Sequence, residues 1–318
     1  MTILILIYSR RICPSSSTRS PRTSCRALLG GVLVAAICGI VGTWVVTRGM
    51  AFLGEAIGHG MLPGVAIATL AGWPAILGGA VSAAFMSATI GFLQRRGRLS
   101  YDTSIGLLFV GMLSLGVIIV SHSRSFATDA TVMLFGDILA VRAGDLLLLA
   151  GALVATVVVA MAFHRSFVAA AFDERIALTI GLRPRLAHIM LTALVTLAVV
   201  ASYQAVGSLL VVGMLLAPAV AAGRWTRSIV STMMLATVFG AVAVVIGLLV
   251  SWYGATAAGP TIAGTAIVLA GVSAAVSSGV RHVRMRLGSH APHAPSRSAA
   301  PAFSAASAPG DLVTERDQ

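Results

Sequence analysis

The sequence predicts an all-α fold, a polytopic transmembrane helical bundle of about nine spans, with eight and ten as the neighbouring counts. Three observations lead there. Of 318 residues, 58% are hydrophobic and only 10% are charged, whereas a soluble domain carries about 25% charged residues. Apolar windows of about 20 residues, the length that crosses the hydrocarbon of a bilayer, recur from Ala27 to Gly279. The remaining charge is gathered into short clusters between those windows.

Residues 1–26 open with a seven-residue apolar run, MTILILI, followed by Arg10, Arg11 and a Ser/Pro/Arg-rich stretch. The run is too short to span, and the order of apolar and basic parts is the reverse of a secretory signal. This part reads as a disordered N-terminal extension. The spans follow at 27–47, 50–70, 73–93, 103–121, 143–163, 186–205, 207–222, 229–251 and 259–279. They make one membrane domain over 27–280 and leave no room for a separate soluble one. Between the fourth and fifth lies ATDATVMLFGDILAV, residues 127–141. It is too short and too polar to cross, so a re-entrant or interfacial segment is expected, its irregular backbone covered by protein or lining a cavity. From Leu287 on the chain turns to Ala, Pro and Ser, which bury too little surface to order themselves; residues 281–318 read as a disordered cytoplasmic tail, its histidines incidental.

The net charge of +12 comes entirely from arginine, with no lysine in the chain. With nine spans the loops alternate between two sides. One side receives Arg48, then Arg95, Arg96 and Arg98, then Arg165, Arg175, Arg183 and Arg185, then Arg224 and Arg227, and finally the C-terminal tail. The other receives Arg124, Arg142 and the five arginines of the extension. Positive loops stay on the cytoplasmic side, which places the C-terminus in the cytoplasm of a plasma-membrane protein; the basic extension is the one feature against it. No basic stripe with interleaved aromatics is present, so nucleic acid is excluded as a partner. Cys13, Cys25 and Cys38 are scattered and odd in number, which gives neither a disulfide framework nor a zinc site. The chain has no G-x-x-x-x-G-K-[ST] phosphate loop and no H-E-x-x-H helix. It therefore reads as no enzyme, with no permanently bound cofactor.

The most informative stretch is AFLGEAIGHGMLPGVAIA, residues 51–68. Glu55 and His59 stand inside an otherwise apolar span, four apart, a spacing that puts both on one helix face. An ionisable residue there costs about 2.5–3.5 kcal/mol on insertion scales, so it is expected to face a polar interior with a task. Carboxylate and imidazole together suit divalent first-row metals. A hydrogen-bonded pair that only locks helices together is the bland alternative. Two ligands do not complete a coordination shell, so others must come from other helices or water; Asp137 is a weak candidate. Pro63 has no N–H for the carbonyl of His59, which leaves that oxygen for the same pocket or for water. Gly54, Gly58, Gly60 and Gly64 give overlapping G-x-x-x-G spacings that admit a neighbouring helix at close range.

Six blocks then carry a resemblance: RGMAFLGEAIGHGMLPGVAIA (48–68), SYDTSIGLLFVGMLSLGVIIVS (100–121), LFGDILAV (134–141), AFDERIALTIGL (171–182), AVGSLLVVGMLLAPAVAA (205–222) and AAGPTIAG (257–264). In this order and at these spacings the chain, over about residues 27–280, resembles the ABC-3 family of manganese, zinc and iron importer permeases. The resemblance implies a type II ABC-importer permease fold and a homodimer with the path near its centre. It implies two copies of a cytoplasmic ABC ATPase and an extracytoplasmic metal-binding protein that delivers the ion. A divalent metal would be the transported substrate, and Glu55 and His59 match the family's metal ligands on the second span. The family usually has Asp at the first position, so Glu55 is a longer, chemically similar substitute. Many members also carry an aspartate before the final Gly-Pro block, where SWYGATAAGP here places Ala255 and no carboxylate.

AFDERIALTIGL has a reading of its own. Asp173 and Glu174 precede an amphipathic turn, where acidic residues favour a helix start. Ala177 and Gly181 are small residues four apart that let a bulky partner pack closely, and Gly181 with Pro184 stops the helix. An interfacial amphipathic helix is the plain reading; the resemblance implies a coupling helix that docks into the ATPase. Three rivals stand beside the importer. A permease for a chelated metal, such as iron-siderophore or cobalamin, wants a wider cavity and no ligand pair. An ATP-independent channel or secondary transporter would move ions alone in liposomes. An intramembrane metalloenzyme would hold stoichiometric metal in detergent.

Overall fold

The computed structural model describes residues 21–95, 100–121, 136, 138–172 and 184–288. The chain divides into two units, Met1–Ser278 and Gly279–Gln318, and the packing below concerns the first. Its helices are α1 (Pro21–Thr47), α2 (Ala51–Gly60), α3 (Leu62–Leu70), α4 (Ala75–Arg95), α5 (Tyr101–Ser121), α6 (Ala143–Ala162), α7 (His164–Phe172), α8 (Pro184–Gly223), α9 (Ile229–Gly254) and α10 (Ala258–Gly288), the last running on into the second unit. A single 3-10 turn, Ile138–Ala140, precedes α6.

Among the described residues nine helical stretches are long and apolar enough to cross a membrane, the first at Cys25–Thr47 and the last at Ala258–Val280. They coincide with the nine predicted windows to within a few residues. Two boundaries differ. The first helix begins at Pro21, inside the stretch expected to be an extension, because proline at a first helical turn gives up only an N–H that had no partner there. The last continues to Gly288 rather than ending at 280, since RHVRMRL contains no breaker and several good helix formers.

The helices interlock through glycines. On α1, Gly42 stands directly against the Leu215 carbonyl and the Cys38 thiol reaches the Val211 carbonyl at 4.0 Å. The pairs 38–211 and 42–215 rise together, so α1 runs parallel to the second half of α8. Against α9 the order reverses: a Cβ on Gly31 would meet Val244, one on Gly240 would meet Ala35, and one on Gly39 would meet Thr237. That alternation matches a first, seventh and eighth crossing. Likewise α9 and α10 are antiparallel, Gly247 lying on Ile262 while the Thr265 hydroxyl donates to the Ala243 carbonyl at 3.0 Å.

The ends of the spans collect on two faces. Trp44, fully buried, meets His164 at 5.6 Å and Phe167 at 5.2 Å between ring centroids. Tyr101 meets His188 at 5.6 Å and feels the charge of Arg48. The end of α1, the starts of α5 and α8, and α7 therefore share one face, the one that carries Arg48, Arg165 and Arg185. On the opposite face Gly30 packs on Val141 and Leu146, and Gly31 on Ile138.

α8 holds the sharpest feature. Gly207 has φ 74° and ψ 166° inside the run, a region open to glycine and closed to residues with a Cβ. The backbone of Gly136, itself at φ 60°, packs on Val206 and Gly207. The bend is large. A Cβ placed on Gly58 would lie 3.9 Å from both Val199 and Val212, which in an unbroken helix would be about 20 Å apart along the axis. The two halves of α8 thus fold back towards each other, as separate sixth and seventh spans require.

Candidate functional site

The second span is built from α2 and α3, joined at Met61 (φ −74°, ψ −25°). Pro63 sits in the first turn of α3, where its missing N–H interrupts the ladder. The Met61 N–H donates to the Ile57 carbonyl at 3.1 Å, which carries the helical ladder up to the junction. The Ser82 hydroxyl donates to the Gly60 carbonyl at 2.6 Å. This bond ties α4 to the junction.

Glu55 and His59 lie on one face, as their spacing requires. His59 Nε2 stands 3.5 Å from Glu55 Oε1, with the His59 side chain 13% exposed and that of Glu55 39% exposed. His59 is eight residues into the span, about 12 Å from its start at 1.5 Å per residue, so the pair lies at the depth of the hydrocarbon, which is about 30 Å thick. The imidazole packs edge-on against Phe109 of α5 at 5.5 Å, and Phe109 packs against Phe52 at 5.7 Å. His59 Nδ1 is buried and has no hydrogen-bond partner. One imidazole nitrogen is therefore engaged by the carboxylate, and the other presents an unused lone pair or N–H inside the protein. A partly exposed carboxylate, an imidazole more deeply set and aromatic rings at its side form an arrangement whose oxygen and nitrogen donors can take a cation.

The four glycines divide. Any Cβ on Gly64 would strike the Gly78 carbonyl, one on Gly60 the Met86 sulfur, and one on Gly54 the Leu215 side chain at 3.0 Å. These three seat α4 and α8 against the span. Gly58 differs, because its nearest neighbours, Ser208 at 3.7 Å with Val199 and Val212 at 3.9 Å, would leave a methyl group in ordinary contact. Close packing does not require glycine there.

Other predicted residues fall elsewhere. Asp137, Asp173, Glu174, Ala177 and Gly181 lie outside the described residues. Ala255 is the left-handed residue that ends α9, at φ 48° and ψ 37°, in the turn to α10. No cluster of three or more His, Cys, Asp or Glu occurs among the described residues, so Glu55 and His59 stand as a pair. The sequence reading missed Phe109 and Ser82. Their types carry no signal at those positions, and only the packing of α5 and α4 brings them to the second span.

Comparison with known proteins agrees with this architecture. The family model described as "ABC 3 transport family" matches residues 22–277. The manganese transport system membrane protein MntC of Listeria innocua is 37% identical over 227 residues, 71% of this chain and 81% of that protein. The chelated iron transport system membrane protein YfeD of Yersinia pestis is 34% identical over 74% of this chain and 80% of its own length. In three dimensions the chain is similar to PsaBC from Streptococcus pneumoniae, solved in complex with a Fab, at TM-score 0.72 and 30% identity, covering 86% of this chain and 94% of that one. With a match across nearly all of its membrane domain and relatives that share a third of its residues, this multi-pass membrane protein belongs to the ABC 3 transport family.

Proposed function

We propose that this chain is the membrane-spanning permease subunit of an ATP-binding cassette importer for a divalent first-row metal ion, with manganese and iron favoured by the names of its relatives. The observation that carries the reading is the Glu55–His59 pair, one turn apart at mid-span and 3.5 Å from each other. Two such groups are costly in a bilayer, and oxygen with imidazole nitrogen is a donor set for a borderline metal ion. A chelated metal would need a wide cavity and no such pair, so the bare ion is the better cargo.

The ion arrives from an extracytoplasmic binding protein, meets the carboxylate of Glu55 and then the imidazole of His59. It passes on when two cytoplasmic ATPase chains close and rock the helices as rigid bodies. The arginine-bearing face with Arg48, Arg165 and Arg185 is the cytoplasmic one. The dock for the ATPase is the segment with Asp173, Glu174, Ala177 and Gly181, whose flanking arginines read as cytoplasmic. A second copy of the chain supplies the other wall of the path. Holding is moderate, because an ion bound too tightly does not leave.

The test is uptake of manganese, iron and zinc by cells expressing the chain with its ATPase and binding protein. His59→Ala is expected to abolish uptake while the variant still reaches the membrane and copurifies with the ATPase. Retention of normal uptake for every metal by that variant would remove the site.

A further inference from the structure

Most hydroxyls on the membrane helices are satisfied by their own helix. Thr43 donates to the Gly39 carbonyl at 2.7 Å, Ser87 to Ala83 at 2.8 Å, Thr192 to His188 at 3.0 Å and Thr237 to Met233 at 2.9 Å, the cheap local partner available in lipid. Ser208 departs from this pattern, as do Thr156 and Ser202. Ser208 is 1% exposed, and its hydroxyl has no hydrogen-bond partner. Gly207, with its non-helical φ and ψ, stands immediately before it in the chain. A buried hydroxyl left in this state has given up its water with no bond in return, a cost that an alanine at 208 would not carry.

Its place is informative. The Ser208 Cβ is the nearest atom to where a Cβ would stand on Gly58, at 3.7 Å, and Gly58 is the residue before His59, whose Nδ1 is also buried and unpartnered. Gly58 is the one glycine of the four that packing does not demand, so its missing methyl leaves a small recess between the second span and the bend of α8. We propose that Ser208 is a further station for the transported ion, its hydroxyl oxygen a ligand that the ion meets in the recess left by Gly58 as it leaves the Glu55–His59 pair. The inference rests on the reading of that pair as the transport site. A neutral oxygen beside a charged pair suits a path in which each stop is weak enough to leave, and a hydroxyl favours a hard ion over a soft one.

The experiment measures uptake of manganese and of cadmium, a softer probe, by the complete importer carrying Ser208→Ala, Ser208→Cys or Gly58→Ala, with membrane abundance and ATPase copurification followed for each. Ser208→Ala is expected to lower manganese uptake at limiting metal about tenfold, the scale of losing one supporting ligand, at unchanged abundance. Ser208→Cys is expected to raise the cadmium-to-manganese ratio about tenfold through its soft sulfur, which a structural role would leave unmoved. Gly58→Ala, whose added methyl fits, is expected to lower uptake without loss of protein. Wild-type uptake in Ser208→Ala and Gly58→Ala, or an unchanged metal ratio in Ser208→Cys, overturns the proposal. If His59→Ala is inactive while these variants behave as wild type, only Ser208 falls; if His59→Ala transports normally, the pair falls and Ser208 with it.

Discussion

The second span (Ala51–Leu70) and the fifth (α6, Ala143–Ala162) are each 20 residues long, yet the protein buries 67% of the second and only 22% of the fifth. The more buried helix is the less apolar one. It carries four glycines, a glutamate and a histidine, whereas α6 presents Leu147, Val154, Val158 and Met161 outward and confines its one charge, Asp145, to a cap that accepts the Arg142 N–H at 2.8 Å. In water the hydrophobic effect would sort them the other way. In lipid, aliphatic side chains gain little by leaving the surface, so close glycine contacts and buried polar groups decide which helix lies inside.

That contrast can be broken. The largest effect is expected at Gly64, where any side chain meets the Gly78 carbonyl and a backbone atom cannot swing aside. Gly64→Leu should cost about 3 kcal/mol or more, seen as loss of accumulated protein or of thermal stability in detergent. Next comes the carboxylate: Glu55→Gln should lower metal uptake about tenfold with the fold intact, and Glu55→Asp should retain most of it. Equal uptake in both would separate the pair's charge from transport. Ser82→Ala removes the hydroxyl on the Gly60 carbonyl and should cost about 1 kcal/mol, measured as a shift in unfolding midpoint. Ala255→Gly relieves a left-handed alanine and should stabilise by about 1 kcal/mol. Val154→Ala on α6, where the side chain is 63% exposed, should change stability by less than about 0.5 kcal/mol; a larger loss would mean that α6 is packed rather than lipid-facing.

Much of this was legible along the chain, and for identifiable reasons. A span must be about 20 apolar residues whatever surrounds it, so its length and place are local properties; even the separation of the sixth and seventh spans at Gly207 is written in AVGS between two apolar runs. The one-face pairing of Glu55 and His59 follows from helical period alone. The helix ends were less legible. Pro21 and Arg281 to Gly288 read as tail composition, yet nothing in them interrupts a helix that the membrane domain has already nucleated.

By itself, then, the sequence determined the class, the spans and the positions of the two ionisable groups, because lipid imposes the same backbone rule on every segment. Only the tertiary structure decided which glycines are contacts and which is a recess, that Phe109 flanks the imidazole, that Ser82 holds the junction, and that Ser208 stands without a partner beside Gly58. Each of those depends on where another helix comes to rest. Residues such as Val199 and Val212 meet around Gly58 only after the chain has turned through Gly207, and no periodicity within either half of α8 encodes that meeting.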